Sequence, residues 1–594
     1  MSERKRNKFV VSKALINFVF AAVLTAAATQ LAHTADSMIV GHTVGPDAVS
    51  AINLVLPLVE VLNCMGFLIC FGANAMCAQA IGRGDLEKVA RTFTSTIITV
   101  MTLGLAVSVL ICVFSWDIVD YISDQPRLDD MANSYIHTYA IGGWLQMLSY
   151  GLCLFVATDG RPRVVTKAVI GGALMNGVMD VLLIVVLGMG VEGAALGSLS
   201  MFLMNILILV YYLRKPGSSY KLKWPGKSYF KNFILNVKEG APVTLSNSLM
   251  AVTILLLNNI VVTYLGADGL FLWSVCLQML LLSYVFIDGI VESLFAVGGV
   301  LVGERDLKGL QILVRQALIM TGSLVALLIV FMYIPGLVAH LFGVHNGPLV
   351  TEMDHVLRIF ALMLIPFATT QVLLSSYQLV GYEKTSVTTA TAQTFFMVLT
   401  VWVVAGIENI ELWWGFVLAC VGVLAMQLLF TYMRSKMVTT EISPLTMIPE
   451  ETKDYTFDRS VSYQGDDVYA ALNDMHNFME MMNVKRDTMF DIDLCCEELM
   501  TNIAKHSTGH ITEHSFDVHM CINNEGIFVT LKDAGKPFDP IKAGKMKDEN
   551  IGKPDHQHLG LRLVNNIIPD ITYKYMYGQN TVFIHKTKEG KGLS

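Results

Sequence analysis

Long apolar stretches of roughly 20 residues, each enough to cross a hydrocarbon core of about 30 Å, recur between short polar breaks along the first 436 residues. The pattern predicts twelve membrane-spanning helices, near 14–40, 51–79, 93–115, 132–157, 164–187, 193–213, 240–264, 270–302, 316–340, 355–380, 387–407 and 412–433. Beyond Lys436, through "SPLTMIPEETKDY", the pattern changes to that of a soluble segment. Helical periodicity marks 466–483 and 487–506, and alternation marks "HSFDVHMCI" and "GIFVTLKDAG" as paired strands. The expectation is an all-α polytopic membrane protein with a C-terminal α/β-sandwich domain.

Composition agrees: of 594 residues, 54% are hydrophobic and only 15% charged, far from an ordinary soluble chain. The basic residues alternate between breaks. Lys and Arg gather before the first span, at Arg83, Lys88 and Arg91, at Arg161, Arg163 and Lys167, at 214–231, at Arg305, Lys308 and Arg315, at Lys384, and at Arg434 and Lys436. The opposite breaks hold little beyond Arg127, and 116–131 is acidic. By the positive-inside rule both termini are expected to be cytoplasmic. A basic start followed by an apolar run also fits a signal peptide, but eleven further spans favour a retained first helix. Seven of the ten cysteines lie in the spans, and Cys495, Cys496 and Cys521 have neither metal-ligand nor disulfide spacing, as expected of a reduced cytosolic tail. The net charge of −7 gives no reason to expect a nucleic-acid partner.

The chain also aligns with itself. "VGPDAVSAINLVLP" matches "LGADGLFLWSVCLQ", and "IGRGDLEKV" matches "VGERDLKGL", with one offset: 266 − 45 = 221, 303 − 82 = 221 and 306 − 85 = 221. Six spans per copy places two like-oriented lobes about an axis along the membrane normal, as alternating access requires. The expected segments are a first lobe at 1–215, a second at 216–436, a linker at 437–453 and the tail domain at 454–594.

Ionisable groups inside spans are costly and usually face a cavity or an ion path. Asp36 lies late in span 1; Asn176 and Asp180 in span 5, and Asp288 and Glu292 in span 8, have the i, i+4 spacing that shares one helix face. A carboxylate held out of water readily takes up a proton or small cation, and an amide beside it adds an oxygen ligand. A single such residue is as readily explained by interhelical hydrogen bonding; several carboxylates across both halves are less so. His33, one turn before Asp36, reads as a packed side chain.

"ADSMIVGHTVGPDAVSAINLVLP", "AQAIGRGDLEKVAR", "ALMNGVMDVLLI" and "GMGVEGAALGS" together resemble the multidrug and toxic compound extrusion (MATE) transporters over residues 10–436. The resemblance implies a bacterial inner-membrane pair of six-helix bundles exporting organic cations or drugs in exchange for protons or sodium. By position, Asp36, Asn176 and Asp180 match the family's cation site, and Ser198 stands where many members have threonine. Leu257 occupies the position equivalent to Asp36 (36 + 221 = 257), so the lobes are not equivalent. Asp288 and Glu292 are the acids available to a substrate cavity in the second lobe.

In the tail, "EELMTN" sets Glu498 and Asn502 on one helix face, "DAGKPF" ends a strand with Asp533 in a glycine turn, and "HLGLRLV" precedes a helix. Singly these are a solvated face, a turn and a helix start. Together they resemble the histidine-kinase/Hsp90-like ATP-binding fold, closest to the anti-sigma-factor serine kinases, over 454–588. That resemblance implies ATP and Mg²⁺, with Glu498 as general base, Asn502 as magnesium ligand, Asp533 as adenine contact, and Gly535 and Gly560 in the flanking loops. His558 stands where relatives often carry glycine, beside the polar lid "KAGKMKDENIGKPDHQ". No phospho-acceptor histidine helix precedes the domain, which argues against a two-component kinase.

The leading expectation is an ion-coupled exporter of small, cationic molecules whose tail binds ATP and regulates transport or phosphorylates a protein partner. The competing ones are a membrane sensor controlling a serine kinase, and an exporter of lipid-linked substrates.

Overall fold

The computed structural model describes residues 9–122, 126–215, 217–226, 229–342, 347–437, 442–449, 455–506, 515–523, 526–545, 559–568 and 570–586. His558 and residues 546–557 of the lid lie outside them. The first half of the membrane part consists of α1 (Phe9–Thr43), α2 (Pro46–Gly82), α3 (Leu86–Ile122), α4 (Pro126–Thr158), α5 (Pro162–Asp180) and α6 (Gly190–Leu213). Proline near the first position of α2 and α5 presets the helical φ where no amide partner is lost. The second half consists of α7 (Tyr229–Ser293), α8 (Gly299–Glu304), α9 (Leu307–Tyr333), the short α10 (Leu337–Leu341), α11 (Pro348–Ala361), α12 (Leu364–Leu379), α13 (Glu383–Ala405) and α14 (Trp413–Met437).

Among the described residues, eleven helices are long and apolar enough to cross a membrane, one fewer than expected. The expected seventh span falls on the first part of α7, where only Val252–Gly266 forms a shorter apolar helix. Asn236, Lys238 and Glu239 dilute the apolar character before it. At Gly266 the backbone turns through a left-handed φ of 67° into the eighth span. The expected tenth span is split into α11 and α12, and the break expected at 116–131 is largely helical, with α3 running on to Ile122 past a kink at Phe114.

The internal repeat is visible in the local geometry. Asp85 Oδ1 accepts a hydrogen bond from the Lys88 amide at 2.9 Å, and its repeat partner Asp306 caps α9 by accepting from the Gly309 amide at 2.7 Å. Equivalent positions also meet across the two halves. A Cβ on Gly299 would lie 2.6 Å from the Cβ of Ala78, and one on Gly303 would lie 2.9 Å from the Cα of Gly82. Both pairs differ by the repeat offset (299 − 78 = 221; 303 − 82 = 221), as residues beside a twofold axis must. The helices α2 and α8 therefore pack backbone against backbone, and the lobes are closed at the end that carries the basic loops.

The tail is a five-stranded antiparallel sheet in the order β1-β2-β3-β5-β4. Its elements are β1 (Thr456–Ser462), α15 (Gly465–Met481), α16 (Arg486–His506), β2 (Ser515–Ile522), β3 (Ile527–Asp533), α17 (Pro540–Lys545), α18 (Leu559–Ile567), β4 (Ile571–Met576) and β5 (Gln579–Lys586). Alternation divides the sheet cleanly. Val461, Val518, Met520, Val529, Leu531, Val582 and Ile584 pack with α15, α16 and α18 in one core. The opposite face lies against the basic-loop end of the membrane part, and Met576, Tyr577 and Phe583 belong to the core that runs through both lobes.

Candidate functional site

Asn176 and Asp180 lie on the last turns of α5, both buried, and the Asn176 amide donates to Asp180 Oδ2 at 2.8 Å. The other oxygen, Asp180 Oδ1, has no hydrogen-bond partner among the described residues although Asp180 is 0% exposed; nor has Asp36 Oδ1 on α1. The two carboxylates lie within electrostatic range of each other. Two buried oxygens without donors are expensive unless a proton or cation satisfies them. The Tyr135 hydroxyl of α4 lies close to Ser198 of α6 and sits in the field of both aspartates. The structure thus brings Asp36, Asn176, Asp180 and Ser198 together.

Two partners of this cluster escape a sequence reading. Gly197 on α6 presses against Asp180: a Cβ there would collide with Asp180 Oδ1 and lie 3.1 Å from Asn176 Nδ2. Tyr135 belongs to a different helix, and nothing in its local sequence marks it. Glu60 on α2 is a further acid within a span; it is exposed, accepts from Asn63 at 3.2 Å and lies in electrostatic range of His33. Its signal was available as an ionisable residue in an apolar run. His33 is itself exposed, not packed as its sequence context suggested.

Asp288 and Glu292 share a face of α7, exposed and half-buried respectively. They do not join the first cluster. Their field reaches Tyr150 of α4, in the other lobe, whose ring stacks on Phe67 at 4.6 Å and whose buried hydroxyl has no partner among the described residues. The two acids therefore face the junction between lobes. π-Helical segments, Val181–Val186 after Asp180 and Leu294–Gly298 after Glu292, follow both acid pairs; such segments often mark functional positions. A separate cavity of about 60 Å³ within the second lobe is lined by Leu257, Trp273, Tyr284, Phe367, Gln371 and Gln393. At the position equivalent to Asp36 it has a leucine, and its polar groups are amides and hydroxyls.

In the tail, Glu498 and Asn502 sit four residues apart on α16, both half-buried. The motif expected to precede a helix instead forms it: residues 559–567 are α18, whose apolar Leu561 and Val564 join the core. Its first turn reaches Glu498, because a Cβ on Gly560 would collide with the Glu498 carboxylate. The start of α18 thus meets an acid whose helix face also carries Asn502, a donor set suited to phosphates and a divalent cation. Asp533, buried at the end of β3, accepts from the Gly535 amide at 2.7 Å and from Asn580 Nδ2 at 3.1 Å. Asn580 Oδ1 in turn accepts from Tyr573 at 2.7 Å and from the Phe538 amide at 3.1 Å, which ties the glycine turn to β4 and β5. These residues fit Mg²⁺–ATP.

Comparison with known proteins agrees with this architecture. The MatE family model matches residues 21–182, and that of the histidine kinase-like ATPase domain matches residues 462–586. The chain is similar to the multidrug export protein MepA of Staphylococcus haemolyticus, 25% identical over 41% of this chain and 54% of that one. It is also similar to the probable multidrug resistance protein YoeA of Bacillus subtilis, 21% identical over 56% and 73%. It therefore spans about half the length of the first of these relatives. Among solved structures, an outward-facing multidrug resistance MATE family transporter of the MOP superfamily superposes with a TM-score of 0.66 at 19% identity, covering 73% of this chain and 97% of that one. A MOP superfamily transporter from Pyrococcus furiosus gives 0.66 at 20%, covering 73% and 100%. The protein is a multi-pass membrane chain that joins a MatE domain at residues 21–182, on the fold of the solved MATE structures, to a histidine kinase-like ATPase domain at residues 462–586.

Proposed function

We propose that the protein is an antiporter that exports organic cations across the cytoplasmic membrane in exchange for H⁺ or Na⁺, with both termini in the cytoplasm. The observation that carries this reading is the pair of unpartnered carboxylate oxygens, Asp36 Oδ1 and Asp180 Oδ1, buried in one lobe of a duplicated bundle. A proton or sodium ion neutralises them and is released when the lobes switch sides; Asn176 and Ser198 supply neutral ligands. Asp288 and Glu292, facing the stacked rings of Tyr150 and Phe67 across the junction, suit a cationic substrate with an apolar body. Similarity to multidrug export proteins supports the substrate class.

The tail binds ATP and regulates the transporter or phosphorylates a partner. Asp533 takes the adenine amino group, Gly535 lines the adjoining loop and Gly560 the first turn of α18, Asn502 holds Mg²⁺, and Glu498 receives the proton of a water or hydroxyl nucleophile. Bound ATP supplies a transferable γ-phosphoryl group. The alternative reading, a sensor that controls the tail, draws on the tail's contact with both lobes. Uptake of a fluorescent organic cation into vesicles, with and without an imposed ion gradient, separates the two. Gradient-driven movement supports the antiporter; ligand-dependent phosphorylation without movement supports the sensor.

A further inference from the structure

The sheet face that packs on the membrane part is polar in a specific way. Lys532 on β3, Thr581 on β5 and Lys574 on β4 are direct cross-strand neighbours and form one transverse row. Adjacent strands lie about 4.8 Å apart, so the lysine backbones are about 10 Å apart. Each lysine reaches a different lobe. Lys574 Nζ contacts Asp159 Oδ1 in the α4–α5 loop at 3.1 Å, and Lys532 contacts Glu304 at the end of α8. All four side chains are at least nine-tenths buried. Burial pushes the Lys574 ammonium below the usual lysine range, while Asp159 opposes that shift.

Further contacts surround the row. The β4–β5 hairpin turns at Tyr577 and Gly578, both with positive φ as a two-residue turn requires. Its tip enters the first lobe: the Tyr577 hydroxyl donates to Thr158 O at 3.0 Å and its amide to Gly160 O at 3.2 Å. On the second lobe, Lys308 pairs with Asp458 at 3.1 Å and Arg305 lies over the Phe528 ring. These anchor points flank the place where Gly82 and Gly303 close the lobes against each other. Rocking the lobes open at this end would separate Asp159 from Glu304 and break at least one buried pair.

The same three strands carry the base end of the nucleotide pocket on their other face. Lys532 is followed by Asp533, Thr581 is preceded by Asn580, and Lys574 is preceded by Tyr573. Asp533, Asn580 and Tyr573 form the hydrogen-bonded chain described above. Adjacent residues of a strand point to opposite faces, so each docking side chain shares its backbone with one member of that chain.

We propose that the ATPase-like domain is a nucleotide-dependent clamp: its Lys532–Thr581–Lys574 row holds both lobes closed at the cytoplasmic end, and ATP bound through Asp533 strengthens that hold. This rests on the nucleotide-binding reading of the tail. Nucleotide fixes the Asp533–Asn580–Tyr573 chain and with it the register of the two lysines, so the docked tail needs less ordering to bind nucleotide. Coupling is reciprocal: nucleotide tightens docking by the factor by which docking tightens nucleotide binding, so loss of docking weakens nucleotide binding by up to that factor, roughly 5- to 150-fold for typical couplings.

The test uses the full-length protein in lipid nanodiscs, titrated with the fluorescent analogue mant-ATP and Mg²⁺. Asp159→Asn/Glu304→Gln alters only the membrane part and leaves the tail's sequence intact. The expected result is a Kd raised at least fivefold. In the unaltered protein, Mg²⁺–ATP should slow hydrogen exchange in segments 158–161 and 304–308, a reading that does not depend on how the variant folds. A variant Kd within twofold of the parent's, a tighter Kd, or unchanged exchange in both segments overturns the clamp while leaving nucleotide binding intact. Failure of the unaltered protein to bind mant-ATP overturns the nucleotide reading and the clamp together.

Discussion

Gly197→Ala is a selective perturbation of the proposed cation site because it adds one methyl group and removes no charge. The new Cβ would collide with Asp180 Oδ1, the oxygen without a partner, and approach Asn176 Nδ2 to 3.1 Å. Asp180 must then turn away or α6 must shift, and overpacking of this kind costs about 1–3 kcal/mol. If that cost falls on the ion-bound state, affinity for the coupling ion drops roughly 5- to 140-fold. The assay is the dependence of transport rate on imposed ion concentration in proteoliposomes. The half-saturating concentration should rise by that factor, with rate recovering at high concentration and the purified protein remaining monodisperse. A half-saturating concentration within twofold of the parent's would refute the placement of the ion beside Asp180 Oδ1.

Three further outcomes are expected. Asp36→Asn or Asp180→Asn should abolish efflux while insertion, followed by membrane yield, is unchanged; unchanged efflux removes the residue from the site. Gly303→Ala, whose Cβ would lie 2.9 Å from the Gly82 Cα, should destabilise the closed end by about 1–3 kcal/mol. Spin labels at the exposed Arg83 and Arg315 should then report a longer interlobe distance; an unchanged distribution contradicts the closure inferred at the glycine crossing. Asn502→Ala should reduce Mg²⁺–ATP binding by the tail at least tenfold in a mant-ATP titration; equal affinity in the variant would remove Asn502 as the metal ligand.

Apolar runs predict helices because their length must match the bilayer, and that constraint is local. The membrane architecture was therefore legible, down to the repeat whose equivalent glycines meet at the lobe junction. The Asn176–Asp180 contact was legible for a similar reason, since i, i+4 spacing fixes it within one helix. The split of the tenth span and the helix at 559–567 were not, because packing against neighbours decided both boundaries. Tyr135 was invisible for a different reason: it reaches the site from α4, and a non-local approach leaves no periodic trace; Gly197 lay beside Ser198 in "GMGVEGAALGS", but its contact with Asp180 was equally non-local. The docking face was hidden by its chemistry. Lys532 and Lys574 alternate with apolar residues as any solvated strand would, and only the partners Glu304 and Asp159 distinguish a buried interface from a wet surface.

The central claim is that ions bound at Asp36 and Asp180 drive movement of a cationic substrate. Its most direct test is substrate-coupled ion release from purified, ATP-free proteoliposomes under an imposed H⁺ or Na⁺ gradient, comparing the parent with the Asp36→Asn/Asp180→Asn double variant. The account predicts countermovement of ion and substrate in the parent and neither in the variant. Countermovement that persists in the variant, or its absence from the ATP-free parent, would contradict it.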